Sequence, residues 1–133
     1  TATRDRVQAQ SNTIVRTLYS MPPDHGAAVV NIILSDDALR AQWEGEVADM
    51  RTRISGMRRL LHDALADKAP GRDFSHLVRA RGMFCFLGVT PEQLARLKQE
   101  HAVYMVDSSR INVAGINDDN VEHLATSIAA VLD

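Results

Sequence analysis

The sequence predicts a helix-rich α+β fold, and three observations carry that reading. The first is a long apolar stripe. Leu39, Trp43, Val47, Met50, Ile54, Met57 and Leu61 follow one another at spacings of three and four, a mean of about 3.7. The second is a set of helix-start signals at Ser35-Asp36-Asp37, Thr90-Pro91-Glu92-Gln93 and Asn117-Asp118-Asp119-Asn120. The third is a group of short apolar runs after residue 80, too brief for helices and bounded by glycine or serine.

Each element follows from local chemistry. In residues 1–19, Val7, Ser11, Ile14, Val15 and Leu18 form one stripe, and Pro22-Pro23 ends the helix because proline lacks the amide hydrogen and restricts its predecessor. Residues 27–34 read as a short, almost uniformly apolar helix whose small alanines suit close packing, so it is expected to be buried. Ser35 is the expected cap of the next helix, with two acids in its positive first turn. That helix runs for about 30 residues, roughly 45 Å, with Arg40, Glu44, Glu46, Arg51 and Arg58 opposite the stripe. Ala69-Pro70-Gly71 breaks it and opens an irregular connection.

Residues 83–87 read as a strand between Gly82 and Gly88. Thr90 to Gln93 is a capping box with proline at the first helical position, opening a helix that carries Leu94 and Leu97. Residues 103–106 and 110–114 are two further strand candidates, joined by Asp107-Ser108-Ser109. A last helix places Val121, Leu124, Ile128 and Leu132 on one face.

Composition narrows the function. A chain of 133 residues suits one compact domain. Fifteen basic against seventeen acidic residues leave a formal net charge of −2, which argues against a nucleic-acid partner. No apolar run approaches the roughly 20 residues of a membrane span, so no membrane role is expected. The single cysteine, Cys85, excludes an internal disulfide and fits a reducing cytoplasm. Its apolar strand setting suits a small hydrophobe better than a nucleophile. The five histidines never pair at helical ligand spacing, so no metal is expected.

Two arginines stand apart. Arg110 opens an apolar strand run, where a guanidinium is costly unless it meets an anion or solvent; its planar fork matches a carboxylate with two parallel hydrogen bonds. Arg16 lies one turn before the double proline, where it either balances a helix dipole or binds an anion.

The segment from Arg16 through Tyr19-Ser20-Met21-Pro22-Pro23 to Gly26-Ala27 resembles the Arg-x-x-Tyr-Ser-x-Pro-Pro-x-x-Gly-Ala segment of the aspartate and aromatic amino acid aminotransferases. Gly82-Met83-Phe84-Cys85-Phe86 is similar to their Gly-Met-Phe-Ser-Phe strand, and Ser109-Arg110-Ile111-Asn112-Val113-Ala114-Gly115 to their Gly-Arg-x-Asn-Val-Ala-Gly segment. The long helix with Trp43 and Asp49-Met50-Arg51 resembles the helix joining that family's two domains. The correspondence keeps its order over essentially the whole chain.

This resemblance implies the C-terminal portion of a pyridoxal-phosphate enzyme of fold type I. Residues 1–35 would close the large cofactor-binding domain, and 36–133 would supply the linking helix and the small domain. It also implies that Arg110 grips the substrate α-carboxylate and that Arg16 contacts a distal carboxylate in the neighbouring subunit of a homodimer. Phe84 would line the pocket, with Tyr19 and Ser20 near the subunit boundary. Amino acids and 2-oxo acids are the implied substrates. Met21 stands where relatives more often have asparagine or serine, and aspartate and aromatic preference both stay open.

Transamination needs a lysine that forms a Schiff base with the cofactor and then moves a proton. The chain has only Lys68, at a helix end, and Lys98, on a polar helix surface. Neither has the family's lysine context, so no catalytic or cofactor-binding residue is expected within these 133 residues, and the isolated chain is expected to be inactive and to self-associate. The competing reading is a stand-alone helical module that dimerises through Leu39, Val47, Ile54 and Leu61 without catalysis.

Overall fold

A computed structural model describes residues 1–132. In chain order it contains α1 (Ala2–Tyr19), α2 (His25–Ser35), α3 (Asp37–Lys68), α4 (His76–Arg79), β1 (Phe84–Phe86), α5 (Pro91–His101), β2 (Arg110–Asn112), a 3-10 turn (Val113–Gly115) and α6 (Val121–Ala130). The two strands form one antiparallel sheet, so the fold is helix-rich with a small sheet. The chain divides into two compact units, Thr1–Gly45 and Glu46–Asp133, with the division inside α3.

In the first unit, α1 ends at Tyr19, and Ser20 takes a positive φ of 59° before the double proline. Neither α1 nor α2 buries a residue. The expected burial of residues 27–34 therefore fails: Val29, Val30, Ile32 and Leu34 are exposed. An apolar helix is buried only against a second apolar surface, and the described residues lay none over α2. The start of α3 also differs from expectation. Ser35 closes α2, and Asp36 is the cap, its Oδ1 accepting from the amides of Ala38 and Leu39 at 2.9 Å each. A carboxylate there satisfies two of the orphan donors that open a helix.

The core lies in the second unit. Leu61 and Leu65 of α3 pack with Phe74, Leu77 of α4, Leu97 of α5 and Val121, Ala125 and Ile128 of α6. The stripe of α3 thus divides in function. Ile54 and Met57 are half-buried and Leu61 is buried, whereas Leu39, Trp43, Val47 and Met50 are exposed. The proposed dimer seam cannot form as read, because Leu61, at 1% exposure, is already enclosed by its own chain.

Local chemistry fixes the rest of the unit. The irregular connection after α3 contains the short helix α4, which the sequence reading missed; Asp73 Oδ1 accepts from the Ser75 amide at 2.8 Å just ahead of it. The capping box of α5 forms as expected: Thr90 Oγ1 accepts from the Gln93 amide, and Gln93 Oε1 accepts from the Thr90 amide. Asn117 and Asn120 exchange side-chain-to-amide bonds ahead of α6, and Asn120 Nδ2 donates to Gly115 O.

The strand expected over 103–106 does not form. Its side chains alternate as a strand's would, with Val103 and Met105 packed on the core and Tyr104 and Val106 exposed. No ladder partner exists among the described residues; the Val103 amide closes α5 at Leu97 O, and Val106 O accepts from Ser109. Strand 110–114 is shortened to Arg110–Asn112, because Asn112 Oδ1 accepts from the Ala114 amide and starts the 3-10 turn.

Candidate functional site

The sheet sets the site. Phe84 pairs with Asn112, Cys85 with Ile111 and Phe86 with Arg110. Successive strand residues face opposite ways, so Cys85 and Ile111 turn to the core while Phe84, Phe86, Arg110 and Asn112 share the other face. Bonds just beyond the strands, Leu87 N to Ser109 O and Val113 N to Met83 O, tighten the register. Ser109 takes a positive φ of 58°, which turns the chain into β2 just before Arg110. The Ser109 hydroxyl accepts from the Gly88 amide at 3.3 Å.

Arg110 lies diagonally across from Phe84, its Cζ 4.8 Å above the ring centroid. This is a cation–π contact, with the guanidinium carbon over the ring. The N–H donors of a guanidinium lie in its plane, a fork that suits a planar anion. Among the described residues, no carboxylate forms an ion pair with Arg110. The inner-face cost considered for Arg110 therefore does not arise, since the side chain lies on the exposed face. It borders a cleft of about 450 Å³ lined by Phe84, Tyr104, Met105, Arg110, Asn112 and His123, among others. A cleft of that size is within the usual range for small-molecule sites.

Phe84 and Arg110 are thus brought together. Arg16 and Tyr19 lie in the last turn of α1, with Ser20 directly after it, all exposed and in the first unit.

The sequence reading missed two guanidinium groups beneath the site. Arg58, placed there on the polar side of the long helix, is 4% exposed. Its Nη1 donates to Leu77 O at 3.0 Å, and its Nη2 donates to Gly82 O at 2.6 Å and Phe84 O at 2.9 Å. Arg53, five residues earlier, donates to Ala114 O and Ile116 O at 3.1 and 3.2 Å. The available signal was spacing. Arg58 stands four residues after Ile54 and three before Leu61, on the apolar face itself. Beside it, burial pushes the Cys85 thiol above its ordinary value, and the Arg58 charge opposes that only in part.

The lysines do not suit a carbonyl cofactor. Lys68 Nζ lies 2.6 Å from Glu122 Oε1, and this hydrogen bond and the charge beside it raise its pKa above 10.5. A Schiff-base lysine needs the neutral amine, so the shift has the wrong sign. Lys98 is exposed on α5. Neither lysine therefore suits the Schiff base that pyridoxal phosphate requires. Among the described residues no group of three histidine, cysteine or acidic side chains is arranged to hold a metal ion, and no helix is long and apolar enough to cross a membrane.

Fold and site together define a helix-rich α+β chain whose strand pair places an arginine, over a phenylalanine ring, at the edge of a cleft. The chain belongs to the family described as aminotransferase class I and II, whose profile matches residues 1–128. It is 51% identical over 130 residues to an aspartate aminotransferase of Escherichia coli (strain K12), covering 98% of this chain and 33% of that protein. The fold is similar to an aromatic-amino-acid aminotransferase from Burkholderia pseudomallei covalently bound to pyridoxal phosphate, with a TM-score of 0.91 and 43% identity over 97% of this chain and 32% of that one. It is also similar to a psychrophilic aromatic amino acid aminotransferase from Psychrobacter sp. B6 cocrystallised with aspartic acid, with a TM-score of 0.90 and 46% identity over 97% and 32% of the two chains. The chain spans about a third of the length of the relatives it matches.

Proposed function

We propose that this chain is the C-terminal portion of a cytoplasmic, pyridoxal-phosphate-dependent aminotransferase. The enzyme moves an amino group between an aromatic or dicarboxylic amino acid and a 2-oxo acid, and Arg110 clamps the substrate α-carboxylate. The observation that carries this reading is an arginine stacked on Phe84 at the edge of a cleft, with no acid partner among the described residues. A planar guanidinium at the rim of a cleft, without an acid partner among the described residues, suits two parallel bonds to a carboxylate. The clamp binds and orients the substrate; the cofactor and its lysine belong to the rest of the protein.

In this account residues 1–35 end the large domain, and residues 36–133 form the linking helix and small domain. Arg16 reaches the distal carboxylate of a dicarboxylic substrate in the neighbouring subunit of a homodimer, with Tyr19 and Ser20 near that boundary. At the end of α1, Arg16 has no acid partner among the described residues, which supports this role. The isolated 133-residue chain is catalytically incompetent, because neither Lys68 nor Lys98 suits the chemistry.

Steady-state kinetics of the full-length enzyme test the proposal. Arg110→Leu lowers kcat/KM for every amino acid, by on the order of 10²-fold, because the reacting bond loses its orientation. Arg16→Leu penalises dicarboxylates more than aromatic substrates. An unchanged kcat/KM in the first variant, or equal losses in the second, contradicts the respective assignment.

A further inference from the structure

We infer that Arg58 is a positioning residue for the carboxylate site, locking the backbone that carries Phe84 so that the ring stays beneath Arg110. The inference rests on the reading of Arg110 as the carboxylate clamp and extends it to a residue that touches no substrate.

Arg58 is a buried cation whose partners are backbone carbonyls rather than an acid. Its fork bonds Leu77 O in α4, Gly82 O just before β1 and Phe84 O within β1. Its Nε finds no acceptor among the described residues. Burying a guanidinium without a counter-charge is unfavourable, so what it provides must come from those three oxygens. Gly82 has a positive φ of 83°, a turn that sets where β1 begins. One rigid, planar group therefore fixes the end of α4, the turn at Gly82 and the Phe84 peptide on the same helix, α3.

The geometry bears directly on the site. The Phe84 carbonyl that Arg58 holds belongs to the residue whose ring lies 4.8 Å from Arg110. Phe84 is three residues from Leu87, whose amide bonds Ser109 O immediately before Arg110. A rotation of the Phe84 peptide moves the ring and the register together. Arg53 makes the matching anchor on the other strand, at Ala114 and Ile116 just past β2. Lysine cannot reproduce the fork, since its single ammonium cannot span three carbonyls in one plane.

The test uses the full-length holoenzyme with R58K, R110L and the double variant, reading kcat and KM for an amino acid and its 2-oxo acid together with the thermal midpoint. Positioning predicts that R58K raises KM for both substrates about two- to fivefold, the loss expected when the ring no longer supports the guanidinium. It also predicts that R58K adds little once Arg110 is already leucine, because the two changes damage one function. A lowered thermal midpoint with unchanged KM overturns the inference, and so do losses that simply multiply in the double variant. Should R58K fail to fold, R58Q, which keeps an N–H₂ donor without the charge, is read in the same way. Failure of both variants to fold assigns Arg58 to stability alone and overturns the inference as well. Loss of effect in R110L itself is a distinct result that removes the clamp reading instead.

Discussion

Replacing Phe84 by leucine isolates the stacking contact from the rest of the site. The ring is 46% exposed and lies 4.8 Å from the Arg110 guanidinium, so the contact is only partly desolvated. Cation–π contacts in such settings contribute about 0.5–1 kcal/mol. In the proposed clamp the ring holds the guanidinium in place before a ligand arrives, so that energy appears as preorganisation. Converted to affinity, it amounts to roughly a two- to fivefold weaker Kd. The assay is calorimetric titration of the full-length protein with a carboxylate substrate analogue. Phe84→Leu should weaken binding by that factor, whereas Phe84→Tyr, which keeps the ring face, should stay within about twofold of the parent. Unchanged binding in the leucine variant, or equal losses in both, would refute the stacking argument.

Three further outcomes concern stability. Leu65 is fully enclosed in the core, so Leu65→Ala should cost about 2–5 kcal/mol, read as a lower urea midpoint at unchanged slope. Thr90→Ala removes one half of the capping box of α5 and should cost about 1 kcal/mol in the same measurement. Bonds from Ser75 hold the Asp73 carboxyl below its usual value of 3.8, so its stabilising contribution is complete above that value and is lost as pH falls through the lower folded value. Urea midpoints recorded from about pH 5 down to about pH 2 should therefore fall less steeply in Asp73→Asn than in the parent.

What was legible in the sequence was local. The stripe of α3, the capping box at Thr90 and the stop at Pro22-Pro23 depend on residues within one or two turns, and each appears in the structure. What was not legible depended on partners distant in the chain. Residues 103–106 have a strand's alternation, yet an alternating segment becomes a strand only when another backbone meets it. The burial of residues 27–34 failed for the same reason, since hydrophobicity alone does not supply a covering surface. Arg58 was misplaced because an arginine counts as polar in a periodicity argument, although its stem and fork suit a buried line of carbonyls. At the site, the sequence marked Arg110 and Phe84 separately through the motifs around them. Only the register of β1 on β2 shows that one stacks on the other.

The most direct test of the clamp is a crystal structure of the full-length holoenzyme with a dicarboxylic substrate analogue bound. The account predicts the α-carboxylate in the plane of the Arg110 guanidinium, held by two parallel N–H···O bonds of roughly 2.7–2.9 Å, with the Phe84 ring still beneath the guanidinium carbon. An analogue seated elsewhere, with Arg110 turned to solvent or paired with an acid of the protein itself, would contradict it.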